Sequence, residues 1–254
     1  LIVESDNLKN RQKIVGQDIP KLKKEGKDTA ALMDEMKDIS NKIKDIDKEK
    51  NEYSDKIFNF IARLPNLPDD DVVAGGKEAN SVIRTSGKKP DFSFKPKDHI
   101  ELATSLNLID YERGVKLGGN AFWLYKGIGA QFEWALINYF IETHLKDGYE
   151  FILPPHILNY QCGFTAGQFP KFEDDVFYLE SDKPHSEGHF ILPTSETALI
   201  NYYRDEILNE EDLPRKFFSY TPCYRKEAGS YRAQERGMVR GHQFNKVEMF
   251  QFTL

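Results

Sequence analysis

The sequence predicts an α+β protein in which an antiparallel helical hairpin precedes a domain built on an antiparallel sheet. Three observations predict it. Apolar residues recur at alternating steps of four and three through the first 64 residues, proline and glycine become frequent from Pro65, and short strand-like segments separated by long loops and helices follow. We therefore divide the chain into a coiled-coil arm (residues 1–64), a connector (65–97) and an α+β domain (98–254).

Two apolar heptad ladders indicate that the arm is a pair of helices folded back on each other at Gly26, a helix-stop residue. Matching the ladders about this turn puts Val15 opposite Ile39 and Ser5 opposite Lys50, so the polar interruptions of the two ladders meet. One polar layer sets the alignment of a coiled coil. Heptads alone identify no function, and a generic helical hairpin packed on a domain is the alternative.

Composition and cysteine usage exclude several classes of protein. The net charge is −6, so a nucleic-acid-binding surface would have to be local. Cys162 and Cys223 are far apart and lack metal-ligand spacing, which disfavours a disulfide framework or a zinc site and suits a reducing compartment. No apolar run approaches the roughly 20 residues of a membrane helix. His156, His185 and His189 fall in predicted loops, and we predict no metal site.

The hairpin tip is locally basic. Residues 9–27 contain seven lysines or arginines against two acidic residues, a surplus of five positive charges. The lysines nearest the turn are Lys21, Lys23, Lys24 and Lys27. A protruding basic helix pair can contact nucleic-acid phosphates without reading sequence. A solvated charged face is the alternative.

The segment between residues 221 and 248 combines side chains suited to a nucleotide. Two predicted strands, 216–225 and 242–252, flank a loop that carries Arg232, Arg236 and Arg240. Guanidinium groups pair bidentately with phosphate oxygens. Phe244 could stack on a base. Glu248, between apolar neighbours, should face a pocket where it could hold an ammonium or a hydroxyl group. A salt-bridged β-hairpin without a ligand is the alternative.

This segment resembles motif 2 of the class II aminoacyl-tRNA synthetases, in its seryl form. The resemblance rests on Arg-Lys-Glu-Ala-Gly at 225–229 and His-Gln-Phe-Asn-Lys-Val-Glu at 242–248. Upstream, Thr-Ser-Glu at 194–196 resembles the family's serine-binding loop, and residues 130–155 resemble motif 1, its dimer element. Each motif alone is weak, but together and in this order they are specific. The resemblance covers essentially the whole chain.

The resemblance implies a cytoplasmic homodimer, formed through residues 130–155, that activates L-serine with ATP and Mg²⁺ and transfers it to tRNA(Ser), and also to tRNA(Sec). Arg225 and Glu227 are the implied catalytic residues, on the α-phosphate and the adenine amino group. His242 is expected to be structural. The implied binding residues are Thr194, Ser195, Glu196 and Glu248 for serine; Arg225, Lys226, Glu227, Arg240, Gly241 and Phe244 for ATP; and Lys21, Lys23, Lys24 and Lys27 for tRNA.

The chain departs from the family pattern in its extent, before motif 1, and in the loop at 230–236, which is less glycine-rich than common versions. The third motif, with its γ-phosphate arginine, would lie beyond Leu254, so we expect a chain truncated at both ends and inactive by itself. Asn120 and Ala121 stand where the family pattern has an arginine. Two alternatives within this framework are a homologue that charges a carrier protein, whose relatives lack the long arm, and a non-catalytic paralogue, which should have lost the residues named above.

Overall fold

The computed structural model describes residues 1–180, 187–227 and 237–254. The chain forms two compact units, Leu1–Val72 and Val73–Leu254. None of the helices in the described residues is both long enough and apolar enough to cross a membrane.

The first unit is the predicted helix pair, α1 (Ile2–Lys24) and α2 (Ala30–Ile61). The turn between the helices uses Gly26 at a φ of 70°, a left-handed conformation that glycine adopts without steric cost. Val15 and Ile39, predicted to face each other, are both buried in the seam. α1 continues through Pro20, and α2 runs to Ile61 although several of its last apolar side chains are more than half exposed.

The polar layer of the arm is built around Asp47. Ser5, which is 2% exposed, donates from Oγ to Asp47 Oδ1 at 3.2 Å, and Lys50 Nζ donates to the same oxygen at 3.3 Å. Lys9 Nζ lies 3.2 Å from Asp47 Oδ2. The predicted meeting of Ser5 and Lys50 is therefore confirmed, with Asp47 joining them. The hydrogen bond from Lys9, followed by those from Lys50 and Ser5, lowers the pKa of Asp47 below its ordinary value.

The second unit contains one long helix, several short helices and short strands around one long strand pair. Its helices are α3 (His99–Ser105), α4 (Tyr111–Gly118), α5 (Ile128–Lys146), α6 (Tyr160–Thr165) and α7 (Glu196–Leu199). Its strands are β1 (Ile109–Asp110), β2 (Leu124–Tyr125), β3 (Glu150–Phe151), β4 (Ile157–Asn159), β5 (His189–Ile191), β6 (Arg215–Tyr224) and β7 (Gln243–Phe252). The predicted cap at Asp98 is present as a capping box with Glu101.

β6 and β7 form a ten-residue antiparallel ladder, and β3 pairs with the other edge of β6 in the parallel direction. In the ladder, Ser219 lies opposite Glu248, Thr221 opposite Lys246, and Cys223 opposite Phe244. Because directly opposite residues project to the same side of a sheet, these six side chains share one face.

A small core lies on this face. One buried cluster consists of Leu158, Phe169, Val176, Phe190, Leu192 and Cys223, and Phe244 packs against it.

One element was predicted wrongly. The helix expected from Ser195 to Leu208 is α-helical only over α7, and turns follow to Asp205. Apolar content made the longer segment resemble a helix, although its tyrosines pack on Phe217 and Phe252 instead.

Candidate nucleotide and amino-acid site

Thr194, Lys246 and Glu248 form a closed polar cluster at the end of α7. Thr194 is 3% exposed and donates from Oγ1 to Glu248 Oε2 at 2.7 Å. Lys246 Nζ donates to Thr194 Oγ1 at 2.9 Å and also forms an ion pair with Glu248 Oε2. The side chains of Lys246 and Glu248 are 30% and 19% exposed. The cluster ties the segment before α7 to β7 and holds the Glu248 carboxylate against Thr194, which lines a cavity.

The structure does not bring Ser195 and Glu196 into this cluster. Ser195 is completely buried, and its Oγ has no hydrogen-bond partner among the described residues; Thr197 and Ser219 have the same property. Glu196, the first residue of α7, is exposed and makes no ion pair with any residue that the structure describes. Of the four predicted serine residues, Thr194 and Glu248 therefore lie together.

Arg225 is held at the end of β6 by contacts on three sides. Its Nε donates to the carbonyl oxygen of Pro193 at 3.1 Å, and its Cζ lies 5.2 Å from the centre of the Phe244 ring. Its backbone amide donates to His242 O, and His242 Nδ1 lies 2.8 Å from Arg225 O. His242 thus has the structural role predicted for it. Among the described residues, neither terminal nitrogen of Arg225 has a hydrogen-bond partner, so both can meet an anion.

Glu227 and Arg240 form an ion pair at the cavity that Arg225 also lines. Arg240 Nη1 lies 2.7 Å from Glu227 Oε2. Glu227 has a φ of 51°, a left-handed conformation that is costly for a residue with a side chain and that concentrates at functional sites. Lys226 does not join this ion pair: its side chain is exposed, its Nζ lies 5.9 Å from the centre of the Phe177 ring, and its backbone amide donates to Asp175 O.

Two adjoining cavities share Arg225, Glu227 and Arg240. One, of about 280 Å³, is also lined by Pro193 and Thr194. The other, of about 310 Å³, is also lined by Trp123, Gly241 and Phe244. The first therefore reaches the threonine of the polar cluster, and the second offers an aromatic face. Together they could hold a polar headgroup and a flat ring on opposite sides of Arg225.

Because Gly241 has no side chain, the indole ring of Trp123 can lie against it at the second cavity. A Cβ added to Gly241 would lie 2.1 and 2.3 Å from two ring carbons of Trp123 and 3.1 Å from Ala121 O. His242 N also donates to Ala121 O at 3.1 Å. Ala121 has a φ of 63°, so the segment where the family arginine was missing is the turn that seats Trp123 against the strand end.

Sequence reasoning missed Lys246, Trp123 and Asp175 as residues of the site. The period of a strand offered one signal, because Lys246 is two residues before Glu248 and so shares its face. Nothing in the sequence indicated Trp123, since its contact with Gly241 is tertiary.

His185, Arg232 and Arg236 lie outside the described residues. Within the ranges that the structure describes, no three His, Cys, Asp or Glu side chains lie together in a way that could hold a metal ion.

The four tip lysines are all exposed. Lys21 pairs with Asp18 at 3.4 Å and Lys27 with Glu25 at 2.8 Å. Lys23 and Lys24 have no ion pair with any described residue. Ion pairs at such exposed positions are weak, so all four ammonium groups can be recruited by a stronger anion.

Two family models match the chain. Residues 1–68 match a family described as "Seryl-tRNA synthetase N-terminal domain". Residues 177–254 match one described as "tRNA synthetase class II core domain (G, H, P, S and T)". The first match covers the helix pair, and the second contains the polar cluster and Arg225, Glu227 and Arg240, the residues that both cavities share.

Curated relatives match over the full chain. A protein named serine–tRNA ligase 2 from Clostridium acetobutylicum is 58% identical over 254 residues, covering all of this chain and 60% of the relative. A serine–tRNA ligase from Clostridium tetani is 44% identical, covering all of this chain and 59% of the relative. The chain thus spans about 60% of the length of the curated relatives it matches.

Solved structures give the same result. A seryl-tRNA synthetase from Pyrococcus horikoshii, crystallised with ATP, superposes with a TM-score of 0.85 at 26% identity over 98% of this chain and 60% of that chain. A cytoplasmic serine–tRNA ligase from Naegleria fowleri, in complex with AMP, superposes with a TM-score of 0.77 at 22% identity over 99% of this chain and 57% of that chain. The second likeness bears on the fold alone.

Proposed function

Since the chain belongs to the seryl-tRNA synthetase family, we propose that the whole protein is a serine–tRNA ligase, which activates L-serine with ATP and transfers it to tRNA(Ser). The observation that carries the proposal is the polar cluster of Thr194, Lys246 and Glu248, together with the guanidinium of Arg225, whose two terminal nitrogens have no hydrogen-bond partner among the described residues. This arrangement puts a carboxylate for an ammonium or hydroxyl group next to a cation for a phosphate.

Serine would bind at the polar cluster. Glu248 would accept from the substrate hydroxyl, and Thr194 would line the pocket beside it. Glu196 would approach the substrate ammonium from α7. Ser195, which is buried next to Thr194, would pack behind the serine pocket. A site that hydrogen-bonds a substrate hydroxyl rejects analogues that lack it, because its own buried polar groups are then unpaired.

ATP would bind across the two cavities. Arg225 would pair with the α-phosphate, Phe244 would stack on adenine beside Gly241, and Glu227 would accept from the adenine amino group. Lys226 and Arg240 would add positive charge near the phosphates. Mg²⁺ would accompany the phosphates and take its ligands mainly from them and from water, since this cation needs only one or two protein carboxylates.

The proposed reaction needs positioning more than a protein nucleophile. A serine carboxylate oxygen would attack the α-phosphorus in line, forming the P–O bond of seryl-adenylate while the bond to pyrophosphate breaks. Arg225 would neutralise charge that develops on the α-phosphate. A terminal ribose hydroxyl of tRNA would then take the seryl group and release AMP.

Serine-dependent exchange of pyrophosphate into ATP by the full-length protein tests the activation step. We expect Glu248→Ala to reduce kcat/KM for serine by about 5- to 150-fold, because a lost partner at a buried polar site costs on the order of 1–3 kcal/mol. Activity of Glu248→Ala within about twofold of wild type would refute the assignment. Exchange with serine, followed by charging of a carrier protein and not of tRNA, would favour the carrier-charging alternative. No exchange at all would favour the non-catalytic one.

The helix pair would bind the tRNA, and tRNA(Sec) would be bound in the same way. Replacing Lys21, Lys23, Lys24 and Lys27 by alanine should weaken tRNA binding and reduce its salt slope by roughly 0.7–0.9 per lost phosphate contact. Adenylate formation should not change. A matched control replaces Lys42, Lys44 and Lys48 of α2, which are also exposed. Equal losses of binding and adenylate formation would mean that the tip supports folding.

We also propose that the protein works as a cytoplasmic homodimer joined through residues 130–155. On α5, Phe132, Trp134 and Tyr139 are 61%, 54% and 63% exposed, so this helix offers large apolar surfaces that a partner subunit could cover. Sedimentation of the full-length protein should give a dimer, and a double Phe132→Glu, Tyr139→Glu variant should give a monomer. A dimer that survives both charges would place the interface elsewhere.

A further inference from the structure

Lys246 supplies the positive charge of the polar cluster and contacts both of its other members. Its Nζ contacts both Thr194 Oγ1 and Glu248 Oε2. Thr194 lies 52 residues away along the chain, so the lysine links two separate segments. We propose that Lys246 is a positioning residue, which fixes Glu248 in the orientation that recognises serine.

The distribution of contacts over the two carboxylate oxygens supports this role. The hydrogen bond from Thr194 and the ion pair with Lys246 both use Oε2 of Glu248. Among the described residues, no side chain donates a hydrogen bond to Oε1. One oxygen is therefore anchored and the other is left for a ligand. A carboxylate anchored on one side presents a single acceptor in a fixed direction, which is what discrimination of a small hydroxyl group requires.

The strand register explains how Lys246 reaches this position. Lys246 and Glu248 are two residues apart on β7 and project to the same face. Opposite them on β6 are Thr221 and Ser219, both fully buried. Lys246 therefore lies beside the buried Thr221 on one face of the sheet, and its ammonium group reaches the Glu248 carboxylate. Its positive charge also offsets that of Glu248, which is only 19% exposed and would be costly there without a counter-ion.

This inference rests on the proposed function and deepens it, so its test measures serine and ATP separately on the full-length protein. Lys246→Met retains the length of the stem and removes the charge. We expect KM for serine to rise at least about tenfold, as misalignment of a site group does, with KM for ATP within about twofold. Lys246→Arg, which restores charge and donors, should recover most of the loss. Lys216→Met, on an exposed position of β6, is the matched control.

A double-mutant cycle with Thr194→Val distinguishes positioning from general support of the fold. Both residues anchor the same oxygen, so the double variant should lose clearly less than the product of the two single factors. An unchanged KM for serine in Lys246→Met would overturn the inference. So would equal increases in both KM values together with a lower melting temperature. Wild-type protein that shows no serine-dependent exchange would instead overturn the proposed function, and the inference with it.

Discussion

The contact between Gly241 and Trp123 predicts that Gly241→Ala will damage the nucleotide side of the site. The new Cβ would lie 2.1 and 2.3 Å from two carbons of the indole ring, whereas carbon atoms in contact normally lie about 3.5–4.0 Å apart. The indole or the strand end must therefore move by more than about 1 Å. The atoms involved are a rigid ring and a backbone, so neither can yield without cost.

The expected magnitude follows from overpacking. Forcing extra atoms into a packed site costs about 1–3 kcal/mol. Both Gly241 and Trp123 line the cavity that also contains Arg225 and Phe244, so the displacement acts where ATP is proposed to bind. If the whole cost falls on the bound state, the affinity for ATP decreases by about 5- to 150-fold.

Isothermal titration calorimetry with ATP measures this directly, and it needs no signal from Trp123. Trp123→Leu in the Gly241→Ala background should recover most of the affinity by making room for the methyl group. Gly76→Ala is the control, since there the added Cβ meets only the flexible carboxylate end of Glu78. Unchanged ATP affinity and melting temperature in Gly241→Ala, or no recovery in the double variant, would refute the reasoning.

Two further predictions concern the helix pair. Gly16→Ala should stabilise the protein by up to about 1 kcal/mol, because alanine is a better helix former and the added Cβ would lie 3.4 Å from the mobile end of Met36; a lower melting temperature would contradict this. Acidification should destabilise the pair through Asp47, whose pKa is lowered mainly by the hydrogen bond from Lys9. A lowered folded-state pKa adds stability above the unfolded pKa of about 3.9, and this is lost as the pH falls through the folded value. Circular-dichroism melts across that range should show a smaller acid-induced loss for Asp47→Asn than for Asp45→Asn, and equal losses would disprove the role of Asp47.

The arm could be predicted in detail because its determinants are local and periodic. The heptad ladders fixed both helices and the pairing of Val15 with Ile39, and Gly26 fixed the turn. Asp47 was not foreseen in the polar layer, because a ladder drawn through one position per turn omits its neighbours. Lys50 is three residues from Asp47 and on the same helix side, so the layer contains both.

The catalytic segment was predictable in its strands and motif residues, but not in its contacts. The β6–β7 pair appeared where alternation predicted it. The helix after Ser195 was predicted too long, since its tyrosines pack against the aromatic end of β6 and β7, a long-range contact that overrides local propensity. The complete burial of Ser195 and the approach of Trp123 to Gly241 also depend on packing between distant segments.

The polar layer of the arm also sets the distance between that layer and the basic tip. Ser5 and Lys23 are 18 residues apart on one continuous helix, which at the rise of an α-helix is about 27 Å. Sliding one helix by a heptad would shift the tip by about 10 Å relative to its partner helix, and would separate Asp47 of α2 from Ser5 and Lys9, its hydrogen-bond donors on α1. The cost of that mismatch makes the spacing between the layer and the basic tip a fixed length. An insertion of seven residues on each side of the turn should therefore move the tip farther from the polar layer. It should leave the pairing of α1 with α2 at the polar layer unchanged.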